Sequence, residues 1–157
     1  MSLEKQIQQD IKAAMLAKEK TRLESLRGIK AAILLAKTAE GAVLAKDEAG
    51  NEVLADDAIV KLIQKLVKQR KETAEIYKQQ GRPELAENEL SEASFMEVYL
   101  PKQLTDEEIT AELVMIIAQV GATSQKEMGK VMGVATKAMA GRADGKKIGE
   151  LVRKLLN

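Results

Sequence analysis

The sequence contains neither cysteine nor histidine among its 157 residues. Without cysteine it can form no disulfide, and it offers no thiolate as nucleophile or metal ligand. Histidine is the usual acid/base group near neutral pH and the commonest metal ligand, so triads of the Ser-His or Cys-His kind and structural zinc sites are excluded. Carboxylate or lysine chemistry stays open, but nothing in the sequence visibly arranges it. We therefore expect no metal, no cofactor and no catalytic residues, and no enzymatic activity from the chain alone.

Aromatic residues and long apolar runs are also scarce. Aromatics make up 2% of the chain, so the core must be built from aliphatic side chains and methionine. No apolar run approaches the roughly 20 residues that span a bilayer. The first residues, Met1 to Gln6, are too polar for a signal peptide. We expect a cytoplasmic protein with no membrane partner.

Helical periodicity dominates what is present, and no convincing strand alternation appears. Apolar residues recur at three- and four-residue spacing, the pattern of one buried helix face. We predict an all-α fold with an N-terminal helical domain of about four helices over 1–97 and a C-terminal three-helix domain over 98–157. The boundary follows from Tyr99-Leu100-Pro101, because a residue before proline is pushed out of the α region.

Local signals place the predicted N-terminal helices at about 2–19, from Thr21 to near Gly41, from Asp56 to Gly81, and 83–98. Thr21 with Glu24 is predicted to form a capping box, and Asp56 is predicted to be an N-cap. Residues 41–55 are predicted to be a loop. A small hairpin that pairs Val43-Leu44 with Val53-Leu54 across Gly50-Asn51 is the alternative.

The third and fourth predicted helices carry opposite charge. The third is rich in lysine and arginine, whereas the fourth has five glutamates and no basic residue. One interpretation is that these charges complement each other along a solvated rim. The other is that they dock a partner helix.

Three capping signals mark the C-terminal helices. Thr105 with Glu108 and Ser124 with Glu127 are spaced as capping boxes, and Asp144 can cap the last helix. The acidic clusters Asp106-Glu107-Glu108 and Asp56-Asp57 could be drawn as metal sites. At helix N-termini carboxylates stabilise the helix dipole, so we interpret both clusters as capping features.

The segment from Lys126 to Lys154 concentrates glycine and positive charge. It has eight basic and three acidic residues, a net +5 in a chain of total charge +1. Gly129 and Gly133 lie one helical turn apart, which predicts close packing of another helix. The functional alternative is that their exposed backbone admits a phosphate or a ribose.

The same segment supplies the candidate RNA-binding residues. Lysine–phosphate contacts give salt-dependent affinity that does not depend on base sequence. Because 102–157 contains no aromatic residue to stack on a base, folded RNA recognised by shape and backbone is the consistent ligand. A lysine-bearing solvent face, and a capped turn at 141–147, are the purely structural alternatives. The candidates are Lys126, Lys130, Lys137, Arg142, Lys146 and Lys147.

An ordered set of short motifs spans almost the whole chain. It consists of Lys68-Gln69-Arg70-Lys71-Glu72 with Tyr77, Gly81-Arg82-Pro83-Glu84-Leu85, Glu89-Leu90 with Glu92, Tyr99-Leu100-Pro101-Lys102-Gln103-Leu104, Met128-Gly129-Lys130-Val131-Met132-Gly133 and Gly141-Arg142-Ala143-Asp144-Gly145. As a set these motifs resemble the YqeY family of small bacterial proteins. That family is similar to the tail region of GatB, the tRNA-binding subunit of the glutamine-dependent aspartyl/glutamyl-tRNA amidotransferase.

The resemblance implies an all-helical, two-part fold and a tRNA or structured-RNA partner, with translation or amidotransferase components as further partners. It favours Lys130, Arg142, Lys146 and Lys147 for RNA contact. The catalytic parts do not carry over, because the chain has no GatB-like kinase core and no Ser-Ser-Lys amidase signature. Carbon–nitrogen ligase activity with glutamine as amide donor would therefore describe the relative.

Three functions compete on the sequence alone. The first is a stand-alone GatB/YqeY-type module that binds structured RNA. The second is a helical protein-interaction adaptor with no RNA role. The third, an amidotransferase-type enzyme, would need separate catalytic partners.

Overall fold

Seven α-helices and one two-stranded sheet make up the computed structural model, which describes residues 1–157. The all-α prediction is confirmed. The chain divides into two compact units, Met1–Leu100 and Pro101–Asn157. The helices are α1 (Leu3–Leu16), α2 (Lys20–Thr38), α3 (Asp56–Gln79), α4 (Pro83–Glu97), α5 (Asp106–Val120), α6 (Met128–Ala138) and α7 (Gly145–Leu155).

The N-terminal unit packs α1 to α4 around one aliphatic core. Each helix contributes residues spaced by three or four positions, as the periodicity predicts. Ile7, Ile29 and Ile63 are almost fully buried. Gly81 adopts a φ of +72°, a conformation that favours glycine, and Pro83 begins α4. The short turn between α3 and α4 makes the two helices antiparallel neighbours.

Opposite charges join α3 to α4. The guanidinium of Arg70 pairs with the carboxylates of Glu89 and Glu92, and Lys71 Nζ lies 2.6 Å from Glu97 Oε1. These contacts confirm that the charges of the two helices complement each other, but the Arg70 pairs do not lie along a solvated rim as expected. The Arg70 and Glu92 side chains are each more than two-thirds buried, so this pairing is part of the packed structure.

A short hairpin joins α2 to α3, so the loop predicted for residues 41–55 is wrong and the hairpin alternative is correct, except that its first strand begins at Leu44 and not at Val43. Strands β1 (Leu44–Lys46) and β2 (Glu52–Leu54) pair antiparallel, with Leu44 opposite Leu54. The turn is longer than a Gly50-Asn51 dipeptide. Asp47 organises it, because its Oδ1 accepts from the amides of Ala49 at 2.9 Å and Asn51 at 2.8 Å.

A buried carboxylate attaches this hairpin to the helices. Glu4 Oε1 lies 3.0 Å from Lys37 Nζ, and Glu4 Oε2 accepts from the Leu54 amide at 2.7 Å. Lys37 also donates to the Glu52 carbonyl at 3.1 Å. The outer edge of β2 is therefore satisfied by side chains of α1 and α2.

Two capping predictions for this unit are wrong. Helix α2 begins at Lys20, so Thr21 lies inside it and forms no capping box with Glu24. Asp56 is the first residue of α3, and its Oδ1 accepts from the Leu3 amide at 3.0 Å. The first amides of a helix have no acceptor within that helix, and Leu3 is the first residue of α1. Asp56 therefore caps a helix that is distant in sequence.

The C-terminal unit packs α5, α6 and α7 around a second core that includes Leu113, Val131, Ile148 and Val152. No helix of the chain is both long enough and apolar enough to cross a bilayer.

Two of the three capping predictions for the C-terminal unit are confirmed. Thr105 and Glu108 form the predicted box, with bonds of 3.2 and 3.1 Å. Asp144 caps α7 by accepting from the Lys146 amide at 3.4 Å. The Ser124 side chain makes no capping bond, and a 3₁₀ turn over Gln125–Glu127 precedes α6. Glu127 accepts instead from the Thr123 amide at 3.0 Å.

Candidate nucleic-acid interface

The outer face of α6 and the turn before it carry three of the candidate cations. Lys126, Lys130 and Lys137 are exposed and form no ion pair. The opposite face of α6 is buried through Val131 and Ala135. The amphipathic pattern of the sequence therefore fixes these lysines toward solvent.

The structure does not contain the helix packing predicted at Gly129 and Gly133. Both glycines are exposed, and a methyl group placed on either would meet no atom of a neighbouring element within 4 Å. The close contact lies on α7, where the Cβ position of Gly149 is 3.9 Å from the terminal methyls of Met128 and Met132. Gly149 lies on the apolar stripe of α7. Its position in that stripe is the feature of the sequence that could have predicted its packing against α6.

These contacts define the line along which α6 and α7 pack together. Successive residues of a helix are about 100° apart. Gly129 and Gly133 each follow a methionine that contacts α7, so they lie beside this contact on its solvent side, with the three lysines farther round. On α7, Lys146 and Arg153 lie three and four residues from Gly149, so helix geometry places them, with the exposed Glu150, on one side of the same contact. We call the solvent-facing surface along this contact, formed by Gly129, Gly133, the three lysines, Lys146 and Arg153, the α6–α7 groove.

Four of the six candidates are cations without an ion pair, and two are partly neutralised by α5. Arg142 Nη1 lies 3.4 Å from Glu112 Oε1, and Lys147 Nζ lies 3.3 Å from Asp106 Oδ2. Arg142 also donates to the Ala138 carbonyl at 2.7 Å. Arg142 and Lys147 therefore hold α6 and α7 against α5, whereas Lys126, Lys130, Lys137 and Lys146 leave their charge to solvent.

Charge is unevenly distributed within this unit. Residues 101–157 contain nine basic and seven acidic residues, and four of the acidic ones are in α5. Their positions fit capping: the Thr105 amide, by hydrogen bonding, holds the pKa of Glu108 below its usual value. No group of three or more acidic side chains is arranged to hold a metal ion. The result is an acidic α5 beside a basic α6–α7 pair.

The loop before α7 is built as a capped turn. The Asp144 carboxylate already accepts from a free amide at the helix N-terminus, the position an anion would take. The loop is held from outside as well, because the Leu104 amide donates to the Arg142 carbonyl at 2.8 Å and Gln103 Nε2 donates to the Gly141 carbonyl at 2.8 Å. The structural interpretation of 141–147 fits this geometry.

Fold and surface together define a class of small helical protein, in which a four-helix unit with a hairpin precedes a charge-polarised three-helix unit. The chain belongs to the YqeY family, since the family model described as Yqey-like protein matches residues 4–156. This match confirms the family expected from the ordered motifs. No curated protein matches the chain.

Proposed function

We propose that this YqeY-family protein binds tRNA or another structured RNA through the α6–α7 groove. The observation that supports the proposal is a set of exposed cations without ion pairs on both sides of an open, glycine-lined surface. In this arrangement the cations contact backbone phosphates, and the two glycines leave room for the sugar–phosphate chain to approach the helix backbone.

The composition of the unit favours a backbone ligand. Phosphate contacts position a nucleic acid, whereas base contacts give sequence specificity. Residues 102–157 contain no aromatic side chain on which an unpaired base could stack. The groove therefore suits a folded RNA whose phosphates are held in a fixed pattern.

The resemblance of the motifs to the GatB tail supports tRNA as the RNA. We infer a holding role, in which this chain acts alone or together with translation or amidotransferase components. The chain lacks the side chains for Ser-His or Cys-His chemistry and carries no amidase signature, so any amide transfer would take place on another protein.

The adaptor hypothesis loses part of the charge on which it was based, although Lys61 and Lys65 of α3 stay exposed without an ion pair. Arg70 and Lys71 of α3 are engaged by glutamates of α4, so these groups are not available to a partner helix.

The proposal is tested by filter binding of the full chain to bulk tRNA across a salt series. We expect log affinity to fall linearly with log salt concentration. In Lys130→Ala/Lys137→Ala the affinity at low salt should fall, and the magnitude of the slope should decrease by about 2, since each lost phosphate contact removes about 0.9.

Lys61→Ala/Lys65→Ala is the matched control. It removes the same charge from exposed α3 lysines that form no ion pair, and it should bind as the wild type does. Absence of tRNA binding at low salt, or equal losses in the two double variants, would contradict the proposal.

A further inference from the structure

Helix α5 exposes an apolar face that neither α6 nor α7 of its own unit covers. Ala111, Val114, Met115 and Ala118 are all exposed, with 52% of Val114 and 64% of Met115 accessible. Their spacing of three, four and seven residues places them in one stripe. This stripe is distinct from the buried face of α5, which is formed by Ile109, Leu113 and Ile116.

The stripe is free of charge along its length. The acidic residues of α5 all lie in its first two turns, and the last of them, Glu112, is engaged by Arg142. A helix at the surface of a globular protein normally turns polar residues outward. A contiguous apolar face of this kind is typical of a contact surface.

We propose that a second copy of this chain covers the stripe, with the two α5 helices packed antiparallel about a two-fold axis. The stripe is complementary to itself in that arrangement. With the axis between Val114 and Met115, Val114 packs against the partner's Met115, and Ala111 lies opposite the partner's Ala118. Small residues at both ends let the helices approach closely around the larger central pair. Such self-complementarity is what an isologous interface requires.

Charge selects this orientation. A parallel pair would place two acidic first turns side by side, whereas the antiparallel pair separates them by about 20 Å, the length of a 15-residue helix. Each first turn then faces the end of the partner where α5 passes into α6.

The small size of the contact sets its strength. One helix pair buries less surface than a standard interface, so the dimer is weak and reversible. The stripe lies on α5, apart from the α6–α7 groove, and the dimer leaves both grooves open. This inference does not rest on the proposed function.

Sedimentation equilibrium of the full chain from about 10 µM to about 1 mM covers the range of a weak contact. We expect the average mass to rise toward that of a dimer. Met115→Lys places a charge at the centre of the interface and should abolish the rise. Met15→Lys makes the same change at a methionine of α1 that is 52% exposed, and it should dimerise as the wild type does.

Single cysteines report the orientation, because the chain has none of its own. In the antiparallel pair Ala111→Cys and Ala118→Cys should form a mixed disulfide when combined and oxidised. Each variant alone should cross-link poorly, because seven residues separate its own thiols by about 10 Å along the axis, beyond disulfide reach.

A chain that stays monomeric up to the highest concentration would overturn the proposal. So would a dimer that is unaffected by Met115→Lys, or a preference of each cysteine variant for itself over the other.

Discussion

Glu4 shows how much a single side chain contributes to the N-terminal unit. It is 6% exposed, and its two oxygens contact Lys37 of α2 and the buried Leu54 amide of β2. Periodicity places position 4 near the buried face of α1. Because the residue there is a glutamate, the sequence alone would predict an exposed side chain. Its carboxylate gains partners only because tertiary folding brings Lys37 and the hairpin, 33 and 50 positions away, next to α1.

At this scale we expect Glu4→Ala to lower the free energy of unfolding by about 2–3 kcal/mol, because it leaves the Leu54 amide buried without an acceptor and removes the partner of Lys37. Glu4→Gln should cost less, since its amide oxygen can still accept from Leu54. Urea denaturation of both variants measures the difference. Equal losses in the two would show that the amide contact contributes nothing.

Helix α6 shows, for a whole secondary-structure element, the same difference between what local sequence predicts and what tertiary packing decides. Its apolar stripe, its length and its outward lysines follow from local sequence. Whether Gly129 and Gly133 are packed or open depends on which side of α6 the neighbouring helix occupies. The structure leaves them open and brings Gly149 close to Met128 and Met132 instead.

We therefore predict opposite effects on stability and binding for Gly129→Ala/Gly133→Ala. Thermal unfolding should show stabilisation of up to about 1 kcal/mol per site, because alanine favours the helix and meets no neighbouring atom. Binding of tRNA should weaken, because the added methyls narrow the α6–α7 groove. Stabilisation with unchanged tRNA binding would show that the two glycines are not part of the RNA interface and that only the lysines contribute to it.

For the whole molecule, two separate cores matter most. One core uses residues of the N-terminal unit and the other uses residues of the C-terminal unit, including Ile109, Val131 and Val152. Each core is closed by helices that are consecutive along the chain, so each unit has the contacts it needs within its own sequence.

We expect the fragment 101–157 to fold alone, with a helical circular dichroism spectrum and a cooperative thermal transition. It should bind tRNA with the salt dependence of the full chain, and the fragment 1–100 should not. A small domain is marginally stable, so the measurement belongs at low temperature. An unfolded 101–157 fragment would show that its core needs the rest of the chain.

By itself the sequence determined the helical class, the family, the buried stripes and one local capping box, Thr105 with Glu108, whereas the boxes predicted at Thr21 and Ser124 do not form. These features follow from contacts three or four residues apart, which any helix must make. Tertiary structure alone decided that Asp56 caps α1, that Glu4 holds β2, and that Arg142 and Lys147 turn toward carboxylates of α5. Each of those outcomes depends on which groups from distant segments lie within hydrogen-bonding distance, and periodicity does not specify that.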